Sequence, residues 1–124
     1  MKIRRFEDLQ AWQKARLLAN AVYDLTEHPK FARDARLRNQ TQGAASSVMH
    51  NIAEGFDSGT DPEFIRFLKI ARRSASETQS ELYLALDREY ISESEHTQVY
   101  ELASEAKKLI NGLIAYLRKS KPAN

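Results

Sequence analysis

The chain has 124 residues, 42% of them hydrophobic, with 19 Lys and Arg against 17 Asp and Glu for a net charge of +2. That length suits one domain with a single core, and with no cysteine neither a disulfide framework nor a thiolate zinc site can form. The basic start MKIRRFEDLQAW leads into an amphipathic pattern and lacks the apolar core of a secretory signal, and no apolar run approaches bilayer length, so a soluble, cytoplasmic protein is expected.

Four helices are predicted from periodicity and punctuation. The first spans about 6–27, with Leu9, Trp12, Ala15, Ala19, Val22 and Tyr23 inward at steps of three and four, and His28-Pro29 ending it. Ala11, Leu18 and Leu25 widen its apolar face and Leu17 lies outside it, which points to a cover from a second copy of the chain; scattered exposed leucines are the plainer alternative. The second helix spans about 33–54, with Leu37, Thr41, Ala44, Ala45, Val48 and Ile52 inward and Gly55 as a left-handed terminator.

The third spans about 62–89, with Asp61 as N-cap, Pro62 at its first position and Glu63 against the helix dipole. Phe64, Phe67, Leu68, Ala71, Ala75, Thr78, Leu82, Ala85 and Leu86 face inward. Ser92 and Glu95 form a capping box for the fourth helix, about 93–119, which carries Val99, Leu102, Ala103, Ala106, Leu109, Ile110, Leu113, Ile114 and Leu117 inward. No strand signal occurs. Long helices with short connections predict an all-α, antiparallel up-down-up-down four-helix bundle, with residues 1–124 as a single domain.

The stretch SSVMHNIAEG places polar side chains beside an apolar stripe. Gln40, Ser47, Asn51 and Glu54 form one ridge on the second helix, and Ser74, Glu77 and Glu81 a matching one on the third. For a hairpin centred near Ser58, Gln40 should face Glu77, Gly43 should face Ser74 and let the helices close, and Asn51 and Glu54 should approach Arg66. Buried polar groups without partners are costly, so the ridges read as a structural polar seam of Gln40, Ser47, Asn51, Glu54, Ser74 and Glu77. Asn51→Leu or Glu77→Leu is then expected to cost roughly 1 to 3 kcal/mol by stranding a partner.

The enzyme readings are weaker. His50 and Glu54 have metal-ligand spacing, and Glu93-x-x-His96 imitates half of a ferritin-type carboxylate site, but no second copy of that motif occurs. His50 is placed off the Asn51 ridge and His96 in an exposed first turn, where a solvated or interfacial histidine is the ordinary meaning. Ser46, Ser47 and Ser74 lack a histidine at plausible reach, and no glycine-rich phosphate loop or nucleophile elbow is present. No catalytic residue, metal or cofactor is assigned.

Positive charge is uneven: residues 1–40 hold nine Lys and Arg against five Asp and Glu, while 41–89 hold five against eight. Arg66, Lys69 and Arg73 share the outer face of the third helix. Lys2, Arg4, Arg5, Lys14 and Arg16 make a second cluster, and Lys30, Arg33, Arg36 and Arg38 a third. Each alone reads as a solvated face. Repeated around an oligomer, such patches would sum into backbone-directed nucleic-acid binding of low sequence selectivity. A protein-binding adaptor that docks a partner protein on the first helix is the alternative.

FEDLQAWQKA at 6–15, VYDLT at 22–26, the Gln-x-x-x-Ala-Ala-Ser-Ser stretch from Gln40, NIAEG at 51–55, FIRFLKIARRSASETQSEL at 64–82 and LINGLIAYL at 109–117 carry a resemblance. The chain resembles the four-helix-bundle family encoded in intervening sequences of bacterial 23S ribosomal RNA genes and at other loci, once labelled a ribosomal protein. It is also similar to the accessory variability protein of diversity-generating retroelements. The resemblance covers nearly the whole chain. It implies a homo-oligomeric ring, a pentamer, of up-down bundles. For the retroelement relatives it implies a basic surface that binds RNA or DNA and a reverse transcriptase, from which this chain departs in being only mildly basic. It implies no catalysis.

Overall fold

The computed structural model describes residues 2–119; Met1 and 120–124, part of the expected 1–124 domain, lie outside the described residues. A 3-10 turn at Phe6–Asp8 precedes five α-helices: α1 Gln10–Leu25, α2 Pro29–Arg33, α3 Ala35–Phe56, α4 Asp61–Asp87 and α5 Glu93–Lys119. No strand occurs among the described residues. The long helices form an all-helical bundle in which α1 packs on α3 and α5, and α4 packs on the same two.

The expected first helix is broken at Leu9, which is extended and buried. The 3-10 turn before it folds Phe6 back onto Trp12, ring centroids 5.2 Å apart. Gln13 holds this reversal by donating its side-chain amide to the Glu7 carbonyl. Ala11, Leu18 and Leu25 are all buried within the one chain. The wide apolar face of α1 is therefore accounted for by its two neighbouring helices, and no second copy is needed to cover it. Leu17 at 55% and Tyr23 at 46% remain exposed, the latter against its expected inward position.

At the other end of α1 the helix stops at Leu25, and Pro29 opens the short α2 instead of merely ending α1. Asp34 then separates α2 from α3, because its carboxylate accepts the Leu37 N–H at 3.1 Å as a helix N-cap. The expected helix from 33 is thus split, and α3 starts two residues later.

Gly55 is not the left-handed terminator expected of it: α3 continues through Phe56, and the only glycine with positive φ among the described residues is Gly59 in the loop. Gly55 instead permits contact. A β-carbon there would stand 2.8 Å from Phe67 Cβ and 2.9 Å from Phe64 Cδ1, so α4 can lie this close only against a bare α-carbon. The N-cap of α4 is also displaced by one residue, since the Thr60 hydroxyl, not Asp61, accepts from Glu63 N–H and puts Pro62 second in the helix.

α4 ends at Asp87 in a Schellman motif. Tyr90 N–H bonds to Ala85 C=O and Glu89 N–H to Leu86 C=O, with Glu89 in the left-handed region at φ 59. The Ser92–Glu95 capping box forms as the spacing predicts, Glu95 N–H donating to Ser92 Oγ and Ser92 N–H to Glu95 Oε1. The core is one continuous cluster from Leu9 to Leu117, with Phe31, Leu18, Ile52, Leu68, Leu82 and Ile110 fully enclosed.

Candidate nucleic-acid interface and the polar seams

Ser74 donates its hydroxyl to Ser47 Oγ across α4 and α3 at 3.0 Å. Asn51, one turn along α3, donates to Ser47 Oγ at 2.9 Å and to the Ser47 carbonyl at 2.8 Å. Three of the six seam residues are therefore brought together. The other three are not: Gln40, Glu54 and Glu77 are exposed and take no side-chain hydrogen bond or ion pair among the described residues. Ser47 lies level with Ser74, and Gly55 with Phe64 and Phe67, so the α3–α4 hairpin pivots about Thr60 and not Ser58, which takes Gln40 out of level with Glu77. Arg66 is then level with Glu54 but is held by its own helix, the guanidinium binding Glu63 through two nitrogens, at 3.0 and 3.2 Å. Gly43 does not oppose Ser74 and has open space where a β-carbon would stand.

Glu77 has the opposite role from the one expected. Glu81, one turn further along α4, has its Oε1 buried without a partner. Burial, with a further contribution from the neighbouring Glu77 carboxylate, pushes Glu81 up to about 7. Glu77 is thus a source of repulsion and not a partner that Glu77→Leu would strand.

A second seam joins α4 to α5, and the sequence reading missed it. Gln79 is buried with its amide fully engaged: the nitrogen donates to Ser104 Oγ at 2.9 Å and the Tyr100 carbonyl at 3.3 Å, and the oxygen accepts from Lys107 Nζ at 3.0 Å. Arg72 extends the line by donating to Asn111 at 2.7 Å. His96, expected in solvent, is 8% exposed and packs against Tyr83 and Tyr100, centroids 4.7 and 5.5 Å away, with Nε2 unpartnered. The available signal was Gln79 next to Thr78 on an apolar helix face; a glutamine in that position needs partners on the adjoining helix.

His50 and Glu54 are exposed on α3, and among the described residues no group of three or more His, Asp or Glu side chains is arranged to hold a metal ion. A histidine contact of a different kind occurs between the α1–α2 connection and α5, where His28 Nε2 meets Glu95 Oε2 at 2.6 Å. Glu95 is held below the usual carboxylate range by the Ser92 N–H and by His28.

The candidate cations divide by whether a partner holds them. Arg5 pairs with Glu7 and Asp8, Lys14 with Glu105, and Arg66 with Glu63. Arg16 lies over the Trp12 ring, and Arg38 donates to the Ala32 carbonyl. Arg4, Arg33, Arg36, Lys69 and Arg73 are exposed and take no ion pair or side-chain hydrogen bond among the described residues. Lys30 and Arg33 line an open concavity of about 490 Å³ with Asp34, Ala35 and Tyr90. The Asp34 carboxylate there is kept low by the Leu37 N–H first, then by the Tyr90 hydroxyl, with smaller contributions from the charges of Arg88 and Arg36.

An all-helical bundle whose inner polar groups bond mostly between or along helices, and most of whose cations stand outside, defines the class: a helical-bundle protein. The chain belongs to the 23S rRNA-intervening sequence protein family, whose model matches residues 7–112. Its fold is similar to a crystal structure of a protein of unknown function from the S23 ribosomal protein family of Bacteroides thetaiotaomicron. The TM-score is 0.77 at 23% identity, over 84% of this chain and 97% of that one. No curated protein matches the chain. No helix among the described residues is long and apolar enough to cross a membrane.

Proposed function

We propose that this protein is a non-enzymatic, cytoplasmic up-down-up-down bundle that assembles as a homo-oligomeric ring, a pentamer, and binds structured RNA or DNA through its basic surface. The observation that carries the reading is the division of the cations: a subset of arginines and lysines stands exposed without a carboxylate partner, while the Ser47–Asn51–Ser74 and Gln79–Ser104–Lys107 groups are used up between helices. Binding of this kind is electrostatic, with each phosphate contact contributing to a steep salt dependence.

The test is the affinity of the purified protein for a labelled RNA stem-loop across salt, with light scattering on the same sample. Affinity falling by at least about tenfold between 50 and 200 mM salt, from an oligomer, is the expected result. Salt-insensitive binding, or none, would remove the nucleic-acid role, and a monomer would remove the ring.

A second reading, a protein-binding adaptor, is favoured by Leu17 and Tyr23, apolar side chains exposed on α1. It gains if RNA binding is absent while Leu17→Glu abolishes capture of a partner protein.

A further inference from the structure

Four cations from three elements gather around Asp34 at one end of the bundle, and none of them makes an ion pair there. Lys30 and Arg33 come from α2, Arg36 from the first turn of α3, and Arg88 from the residue that closes α4. Asp34 stands among them and is the obvious counter-charge, yet both its oxygens are engaged elsewhere. Oδ1 accepts the Leu37 N–H at 3.1 Å and Oδ2 accepts the Tyr90 hydroxyl at 2.9 Å. Lys30, Arg33, Arg36 and Arg88 form no ion pair or side-chain hydrogen bond among the described residues, although the charges of Arg88 and Arg36 are felt at Asp34.

The 22-residue α3 begins at Ala35, on the wall of the concavity, with the Leu37 N–H of its first turn capped by Asp34 and its remaining first-turn N–H groups turned toward the same end. By comparison, the Arg66 side of α4 is partly discharged by Glu63, and the Arg5 cluster by Glu7 and Asp8. Four cations against the one carboxylate of Asp34 leave a net repulsion, and an anion that lies across Asp34 from the Lys30 and Arg33 concavity to the adjoining Arg36 relieves it.

We propose that the α2–α3–α4 end of the bundle is a binding site for the phosphate backbone of a polynucleotide, with Arg33, Arg36 and Arg88 meeting phosphate oxygens and Lys30 supplying charge at the rim. This rests on the nucleic-acid reading above and adds the place and the chemical group recognised. Arginine suits the task because its planar fork pairs two oxygens at once. The Asp34–Tyr90 bond makes Asp34 a positioning group for the wall, while its charge offsets only one of the four cations.

The experiment compares two triple variants that remove equal charge: Arg33→Gln/Arg36→Gln/Arg88→Gln at the bundle end, and Arg66→Gln/Lys69→Gln/Arg73→Gln on the back of α4. Binding of a fluorescein-labelled RNA stem-loop is read by anisotropy at several salt concentrations. The end variant is expected to lose about tenfold or more in affinity at 50 mM salt, with the slope of log K against log salt flatter by about 2 to 3. The α4 variant should lose less than about threefold. Equal losses in both variants, or wild-type affinity in the end variant, would overturn the site while leaving nucleic-acid binding standing. Failure of the wild-type protein to bind the stem-loop at all would remove both proposals. Displacement of the RNA by polyglutamate as readily as by polyphosphate of equal length would overturn phosphate recognition. Should the triple variant melt early, Lys30→Gln/Arg33→Gln makes the same test on two exposed side chains, with at least a threefold loss expected and wild-type affinity counting against the site.

Discussion

Gly55, the last residue of the NIAEG motif, sets how closely α3 and α4 approach. Read as sequence, a glycine after a helical run ends the helix; in the bundle it lies one residue inside α3 and faces Phe64 and Phe67. The Gly55→Ala variant would push a methyl to within 2.8 Å of a β-carbon on the neighbouring backbone, a position with little freedom to yield. Overpacking of this kind costs typically about 1 to 3 kcal/mol, so a clearly lowered melting temperature is expected, and an unchanged one would mean that α4 shifts freely. The sequence marks the glycine as special. It does not say which special property of glycine is in use, because freedom of φ and absence of a side chain leave the same letter. The same ambiguity governs the seam residues: a polar side chain beside an apolar stripe bonds either along its own helix, as Asn51 does to Ser47, or across to the next, as Ser74 does.

At the scale of elements, helix ends show where local chemistry is decisive. The Ser92–Glu95 capping box was legible because both partners sit within four residues and need nothing from the rest of the chain. The Asp34 cap was missed, since the surrounding helical periodicity runs on through it, and the N-terminal break at Leu9 was missed for the same reason. The close of α4 is a geometric demand that the sequence fills poorly: a Schellman turn wants glycine at its left-handed position, and this chain has Glu89 there. Relieving the left-handed strain should stabilise the protein by about 0.5 to 1 kcal/mol in Glu89→Gly, visible as a higher denaturant midpoint at unchanged slope. A lower midpoint would show that the Glu89 side chain contributes more than its backbone strain removes.

For the whole molecule, stability is expected to depend on pH from two opposite directions. Asp34, Glu63 and Glu95 are all held below their ordinary range in the folded state, so each contributes stability above its unfolded pKa that is lost as pH falls through the folded value. Asp34 and Glu63 are solvent-exposed groups, which keeps their individual effects small. Glu81 works the other way. Raised to about 7, it binds a proton more tightly folded than unfolded, so its contribution is full below about 4.5 and is lost as pH rises toward 7. Melting temperature should therefore decline between pH 5 and pH 8 in the wild-type protein. In Glu81→Gln that decline should flatten, because the neutral amide mimics the protonated acid; a decline of equal size in the variant would assign it to other groups.

Periodicity and capping residues were enough to indicate an all-helical chain, roughly where its four long helices run, and most of the apolar side chains of the core, though not Phe31 or Ile91, which lie outside the long helices, and wrongly including Tyr23. Those signals are local, and burial of an apolar stripe leaves few alternatives. Residue motifs were likewise enough to indicate the family. Register was a matter for the tertiary structure: a slip of about two residues in the α3–α4 hairpin joined Ser47 to Ser74 and took Gln40 out of level with Glu77. The Gln79 network and the gathering of cations around Asp34 were decided at the same level, since each depends on side chains from separate elements being brought to one place. Spacing along a sequence constrains distance within one helix, but the distance between helices depends on how their surfaces interlock.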